Sequence, residues 1–173
     1  AQGEYYLTDI IAMAVGDGVR VTPLVAPTVA EVLGVNDKVQ LAGLEALYRA
    51  ERVRELMIAG ATVVDPSRLD VRGEVTLGRD VVLEPNVLLE GNVTLGDRVR
   101  VGPNVVLRDA IIGADSQIHP NSIVERSELG AGCQIGPFAR VRPGSKLGIN
   151  VHIGNFVELK KTVLGSDSKA MHL

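Results

Sequence analysis

Aliphatic residues recur about every six positions from Leu77 to the end of the 173-residue chain. The pattern divides this stretch into coils of 17 or 18 residues, and each coil starts with an aliphatic residue followed by glycine. A fixed internal period of this kind is typical of a solenoid. Three aliphatic positions per coil predict three flat faces around a core of stacked side chains. The first of these positions is filled by Leu77, Leu95, Ile112, Leu129, Leu147 and Leu164.

The residues between the aliphatic positions fit the same fold. The fifth position of each six-residue repeat is mostly small or β-branched, as at Val81, Ser116 and Cys133, which suits a narrow interior corner. The glycine after the first aliphatic residue suits either a turn with positive φ or a close approach of two backbones. The sequence therefore predicts a mainly β chain wound as a parallel solenoid.

The region before the repeats follows different rules. Residues 4–15 predict a helix that begins near Thr8 or Asp9, and residues 19–26 predict a short strand. Together they are typical of the end of an α/β domain. The chain starts with alanine and ends within a coil, so we expect it to be a piece of a longer protein.

A second helix is predicted from Asp37 to Ala59. Asp37 and Gln40 have the spacing of a capping box, and Gly60 is a favourable residue just after a helix end. Leucines within this stretch recur at helical spacing. We expect the helix to connect the first region to the solenoid.

Composition excludes several classes of protein. The formal net charge of −3 argues against non-specific nucleic-acid binding. No apolar run approaches the roughly 18 residues of a membrane span. Cys133 is the single cysteine and occupies an inward position, which predicts a reduced thiol in a cytoplasmic protein.

Several segments resemble one enzyme family over essentially the whole chain. They occur in the order EYYLTD, GVND, GPFARVRPGS, HIGNFVELKK and SKAMHL. The chain resembles the bacterial bifunctional N-acetylglucosamine-1-phosphate uridylyltransferase / glucosamine-1-phosphate N-acetyltransferases. The resemblance implies a left-handed parallel β-helix, a homotrimer, and a role in making UDP-N-acetylglucosamine for peptidoglycan and lipopolysaccharide.

The same resemblance implies two reactions and a division of the chain. One reaction moves an acetyl group from acetyl-CoA to the amine of glucosamine-1-phosphate, and the other moves UMP from UTP to N-acetylglucosamine-1-phosphate with Mg²⁺. Residues 1–38 would be the end of the nucleotidyltransferase domain, 39–60 a helical linker arm, and 61–173 a truncated β-helix. We therefore expect no uridylyltransferase activity from this chain alone, and weak or absent acetyltransferase activity.

Two cations are predicted to stack in successive coils. Arg142 and Lys160 share a column, and adjacent strands lie about 4.8 Å apart. Like charges this close repel unless an anion lies between them, so the column suits a ligand phosphate or a ladder partly compensated by Glu125. The resemblance favours the phosphate of the sugar, because these positions match the family's phosphate-binding arginine and lysine.

His172 is the candidate catalytic base. An imidazole near its ordinary pKa suits removal of a proton from an amine that attacks a thioester. A lone histidine in a turn is more often an ordinary surface residue, but SKAMHL matches the segment that carries the family's base. Glu158 could orient this histidine or form a salt bridge with Arg140. Met171 departs from the small residue usual in the family and would crowd the turn beside the base.

Asn36 is the candidate metal ligand. It matches the family's asparagine that helps to coordinate Mg²⁺, although without the rest of that domain we expect it to be a turn residue beside Asp37. A zinc site is improbable within one chain, because His119 and His172 lie three coils apart, roughly 14 Å at strand spacing.

Two other functions stay open from the residues. The chain could be a catalytically incomplete fragment that serves only as a trimeric scaffold. It could also belong to another hexapeptide-repeat acyltransferase, against which the EYYLTD and GVND segments argue.

Overall fold

The computed structural model describes residues 6–172. The chain divides into two compact units, with the boundary between Leu44 and Glu45. The first unit contains helix α1 (Asp9–Gly16), a 3₁₀ turn (Val29–Val32) and the start of helix α2 (Lys38–Ile58).

The prediction of a short strand over residues 19–26 is wrong, because these residues form no strand. A strand requires a partner that satisfies its backbone hydrogen bonds. Within residues 6–44 the structure describes no other strand that could provide one. The β-branched composition of this stretch is therefore not enough to define its conformation.

The predicted second helix is confirmed to within one residue at each end. The N–H of Gln40 donates to the Asp37 carboxylate at 2.8 Å, so Asp37 caps the helix as predicted. At the other end Gly60 has φ +105°, and the N–H of Ala61 reaches back to the carbonyl of Leu56 at 3.0 Å. This is the Schellman arrangement, which satisfies carbonyl groups at the helix end.

The second unit is a β-solenoid of about six turns, and the fold-class prediction is confirmed. A 3₁₀ turn at Pro66–Arg68 interrupts its first coil. Its strands, in chain order, are β1 (Thr62–Val63), β2 (Asp70–Leu77), β3 (Val82–Leu83), β4 (Leu88–Leu95), β5 (Arg100–Val101), β6 (Val106–Arg108), β7 (Ile111–Ile112), β8 (Gln117–Ile118), β9 (Ile123–Glu125), β10 (Glu128–Leu129), β11 (Gln134–Ile135), β12 (Arg140–Val141), β13 (Lys146–Leu147), β14 (His152–Ile153), β15 (Glu158–Leu159), β16 (Val163–Leu164) and β17 (Lys169–Ala170).

Every pairing between these strands is parallel. One face is the sheet β1-β3-β5-β8-β11-β14-β17. The other two faces are joined into one ten-stranded sheet, because β2 and β4 each continue around a corner and pair with each other over eight residues. The three predicted faces are therefore present, with two of them continuous in the first coils.

The core consists of the predicted aliphatic columns. Leu83, Val101, Ile118, Ile135 and Ile153 lie above one another and are at most 1% exposed. The strand pairing Val101↔Ile118 and Ile135↔Ile153 gives the same register as the sequence repeat. Cys133 is buried and its Sγ lies 3.2 Å from the carbonyl of Gly148, and burial raises the pKa of this thiol.

The glycine column is explained by close approach and not by positive φ. An ideal Cβ built on Gly130 would lie 2.6 Å from the carbonyl oxygen of Gly148 in the next coil. Positive φ occurs instead two or three residues after an aliphatic position, as at Asp80, Asn104 and Asn150. Asparagine and aspartate tolerate this conformation better than most residues.

Gly130→Ala should destabilise the solenoid strongly, by about 1–3 kcal/mol or more, because the new methyl group meets backbone that cannot rotate away. Gly165→Ala is the matched control in the same column, since nothing lies within 4 Å of its ideal Cβ. In the control, the free energy of unfolding should be unchanged or increase by up to about 1 kcal/mol. Urea unfolding of the 173-residue chain measures both, and equal effects would contradict the close-approach explanation.

Candidate functional site

Arg142 and Lys160 follow strands β12 and β15 directly. The register Val141↔Leu159 places the next residue of each strand in one column, and the N–H of Arg142 donates to the carbonyl of Leu159 at 2.9 Å. The predicted stacking of the two cations is therefore present in the structure. Both side chains lie on the outer surface, since the aliphatic residue that precedes each one points inward.

The positive charge of this column is only partly compensated. Nη1 of Arg142 donates to Oε1 of Glu158 at 2.8 Å, and both side chains are partly exposed. Lys160 makes no side-chain hydrogen bond or ion pair within residues 6–172. The arrangement thus offers one paired and one unpaired cation to an anionic ligand, at strand spacing.

The partners of the neighbouring carboxylates differ from the predicted ones. Glu125 accepts hydrogen bonds from Arg108 at 3.1 Å and from Arg140 at 3.0 Å, so it does not compensate Arg142. Arg140 is thereby held by Glu125, and Glu158 pairs with Arg142 instead of Arg140. Strand register alone predicts ion pairs between residues directly opposite each other, such as Arg140 and Glu158. The long arginine side chains instead reach carboxylates two positions away on the adjacent strand.

Glu125 is the most enclosed carboxylate of this network, with its side chain 14% exposed. Burial by itself raises the pKa of Glu125, but hydrogen bonds from Arg140 and Arg108 act in the opposite direction. Together these bonds hold the pKa of Glu125 below its usual value. The carboxylate therefore stays ionised and keeps both arginines in place at neutral pH.

His172 lies on the surface just beyond β17 and is exposed. The pairing Ile153↔Ala170 sets it level with Asn155 of the preceding coil. In the part of the chain that is described, no hydrogen bond or ion pair joins His172 to Glu158 or to any other side chain. Within residues 6–172, Glu158 is thus joined to Arg142, whereas His172 lies on the next coil without a hydrogen bond or ion pair to either of them.

Met171 packs with its backbone over Gly154. An ideal Cβ on Gly154 would lie within 2 Å of the carbonyl oxygen of Met171, so only glycine fits beneath this turn. The Met171 side chain is 45% exposed. Its bulk therefore points partly outward, next to the candidate base.

Asn36 is a turn residue in this structure. It is exposed, and its N–H donates to the side-chain oxygen of Gln40 at 2.8 Å, which completes the cap of α2. Residues 6–172 contain no group of three His, Cys, Asp or Glu side chains that could hold a metal ion. Asn36 alone offers one amide oxygen, whereas Mg²⁺ requires about six oxygen ligands.

Two phenylalanines beside this surface were missed by the sequence analysis. Phe138 and Phe156 stack with ring centroids 5.3 Å apart, and both are more than half exposed. Their φ angles of +55° and +60° are unfavourable for bulky residues. The sequence does carry a signal for them. The two phenylalanines occupy a column that holds Asn86, Asn104 and Asn121 in earlier coils, so a bulky aromatic residue replaces one that tolerates positive φ.

Glu125→Gln should lower stability at neutral pH by about 1–2 kcal/mol, because it replaces a carboxylate that binds two arginines. The contribution of Glu125 is present above the ordinary glutamate pKa of about 4.3 and is lost as the pH falls through its lower folded pKa. The variant should therefore lose less stability on acidification than the parent chain. Urea unfolding across this pH range measures the difference.

Glu128→Gln serves as the control, because Glu128 forms an exposed surface pair with Lys146. Its effect on stability and on pH dependence should be close to zero. Identical acid profiles for Glu125→Gln and the parent chain would contradict the assignment.

No helix within residues 6–172 is long and apolar enough to cross a membrane. A family model described as the GMPPB C-terminal domain matches residues 71–171. Over all 173 residues, the sequence is 51% identical to a segment of the bifunctional protein GlmU of Nitrosospira multiformis. The chain spans 38% of the length of that relative. It therefore belongs to the family of the GMPPB C-terminal domain, and over its whole length it resembles a segment of bifunctional GlmU.

Proposed function

We propose that this chain is the acetyltransferase segment of a bifunctional enzyme that makes UDP-N-acetylglucosamine. The observation that carries the proposal is the stacked Arg142–Lys160 column, because it is a ready phosphate site on a solenoid 51% identical to a segment of GlmU. The substrates are glucosamine-1-phosphate and acetyl-CoA. Residues 1–38 belong to the nucleotidyltransferase domain, 39–60 form the linker arm, and 61–173 form the acetyltransferase domain.

The two cations bind the phosphate of the sugar. Lys160 has no carboxylate partner within residues 6–172 and provides an ammonium group, while Arg142 provides a planar fork of donors that suits phosphate. Glu158 holds Arg142 in position at 2.8 Å before the ligand arrives. A phosphate dianion between the two cations replaces one carboxylate partner with a more highly charged one.

His172 removes the proton that the amine loses on reaction. The amine nitrogen forms a bond to the thioester carbonyl carbon, the carbon–sulfur bond breaks, and the sulfur leaves as the thiol of coenzyme A. The proton taken up by His172 supplies the hydrogen of that thiol, so the step is balanced. An exposed imidazole is suited to both halves of this transfer, because one of its nitrogens can take up the proton from the amine and give it to the sulfur.

The site is completed by other copies of the chain in a homotrimer. Arg142, Lys160 and His172 lie on an open surface of one chain, and the exposed Phe138–Phe156 stack borders the same coils. A second copy supplies the walls that exclude water and position acetyl-CoA. The enzyme is cytoplasmic, in keeping with a buried free thiol at Cys133.

The second reaction requires the rest of the protein. Asn36 would provide one oxygen ligand to the Mg²⁺ of the uridylyltransferase site, together with ligands from outside residues 6–172. When bound, the ion would neutralise phosphate charge during transfer of UMP to N-acetylglucosamine-1-phosphate.

In the full-length protein, His172→Ala should lower kcat of acetyl transfer by about 10²–10⁴-fold, the usual contribution of a general base. His152→Ala is the matched control, since His152 lies on the preceding coil in β14. A thiol-release assay of coenzyme A measures both rates. Unchanged turnover in His172→Ala would overturn the base assignment.

Arg142→Ala and Lys160→Ala should mainly raise KM for glucosamine-1-phosphate, because they remove binding to a phosphate that does not react. KM for acetyl-CoA should change little. Lys161→Ala tests a neighbouring cation in a different column and should leave both constants near the parent values. If Arg142→Ala and Lys160→Ala both keep the parent KM for glucosamine-1-phosphate, the phosphate-site assignment is wrong. Absence of acetyl transfer in the unsubstituted full-length protein would favour the non-catalytic trimeric scaffold instead.

A further inference from the structure

A basic cleft lies between the C-terminal half of α2 and the first coil of the solenoid. Its volume is about 620 Å³, within the range of small-molecule sites. Three arginines, Arg49, Arg68 and Arg72, line it together with one carboxylate, Asp70. We refer to these four residues as the Arg–Asp cleft.

The three guanidinium groups have different partners. Nε of Arg72 donates to Oδ2 of Asp70 at 2.9 Å, whereas Nη1 of Arg49 lies 3.8 Å from the same oxygen, too far for a hydrogen bond. Arg68 turns to Asn86, whose side-chain oxygen lies 3.1 Å from its Nε, and its Nη1 lies 3.8 Å from Oδ2 of Asp65. Arg49 and Arg68 are about half exposed and therefore keep donors that can reach a ligand.

Asp70 has an unsatisfied acceptor in the same place. Its Oδ1 is buried and accepts no hydrogen bond from any residue in 6–172. A buried acceptor without a donor is destabilising, because it has lost its bonds to water and gained none in return. Because Oδ1 is buried, a ligand can reach only the exposed part of the Asp70 side chain, which is 22% exposed. The Arg–Asp cleft thus combines cationic donors with a partly exposed carboxylate, and its complement is an anion that also carries a hydrogen-bond donor.

We propose that the Arg–Asp cleft binds a small phosphate-bearing molecule with a hydroxyl donor on or beside the phosphate. Arg49 and Arg68 donate to the phosphate oxygens, and the hydroxyl donates to the Asp70 carboxylate. The oxygen that accepts this bond is Oδ2, since Oδ1 is buried. This site is separate from Arg142 and Lys160, and it stands whether or not the chain transfers acetyl groups.

Comparing phosphate with sulfate separates the contribution of the arginines from the contribution of Asp70. Both are tetrahedral anions, but near neutral pH only phosphate carries a proton that Asp70 can accept, and Asp70 repels sulfate. Calorimetric titration of the 173-residue chain at constant ionic strength should give saturable phosphate binding, at least about tenfold tighter than sulfate binding. Ionic strength is held with chloride so that screening is equal in both titrations.

The variants assign the effect to named groups. Arg49→Gln and Arg68→Gln should each weaken phosphate binding, and Arg79→Gln, which removes one exposed charge outside the cleft, should not. Asp70→Asn should strengthen sulfate binding and abolish most of the preference for phosphate. The two arginine variants change exposed side chains, so they test the site even if Asp70→Asn fails to fold.

Glycerol phosphate distinguishes an organic ligand from free phosphate. Tighter binding than inorganic phosphate identifies a hydroxylated phosphate ester, and equal or weaker binding identifies inorganic phosphate as the ligand. The proposal is overturned if phosphate fails to saturate, if sulfate binds equally well, or if the double variant Arg49→Gln/Arg68→Gln binds phosphate like the parent chain. In each of these cases the cleft is only an ionic contact between the helix and the first coil.

Discussion

Backbone hydrogen bonds between successive coils set the position of every residue in the solenoid. The N–H of Gly96 donates to the carbonyl of Ile112 at 2.8 Å, and Gly113 and Leu129 repeat the contact one coil later. Residues 17 or 18 positions apart therefore lie above one another. A slip of one residue would turn each aliphatic side chain outward and move each glycine out of the close approach that requires it.

The same register places charged side chains of successive coils next to one another on the outer surface, where they form ion pairs. Glu125 holds Arg108 and Arg140, which leaves Glu158 to pair with Arg142. Among the described residues, no carboxylate pairs with Lys160. A solenoid has few interior positions for polar groups, so its chemistry lies on outer columns. The phosphate site proposed at Arg142 and Lys160 is such a column, and two cations in successive coils distinguish it from the alternating charges of Glu90, Arg108 and Glu125 in the same column.

The first coil is covered differently from the others. Val53 and Leu56 of α2 are buried against the start of the solenoid, and Arg52 donates to the carbonyl of Gly73 at 3.0 Å. A terminal coil has a neighbour on one side only and needs such a cover. Because a helix cannot match the outline of a coil, the junction leaves the Arg–Asp cleft with Asp70 at its edge.

The sequence by itself determined the period, the three aliphatic columns and the ends of α2. Each of these features depends either on residues close together along the chain or on a strict repeat. The residue types alone are therefore enough to predict them. It also identified Arg142 and Lys160 as stacked cations, because register follows directly from the repeat.

The tertiary structure alone decided which charges pair. Arginine side chains span more than one strand spacing, so Arg140 reaches Glu125 diagonally and Arg142 reaches Glu158. It also decided that residues 19–26 form no strand, since a strand needs a partner that no local pattern can supply. The Arg–Asp cleft was equally invisible in the sequence, because it arises where a helix and a coil meet and only packing brings Arg49 and Asp70 together.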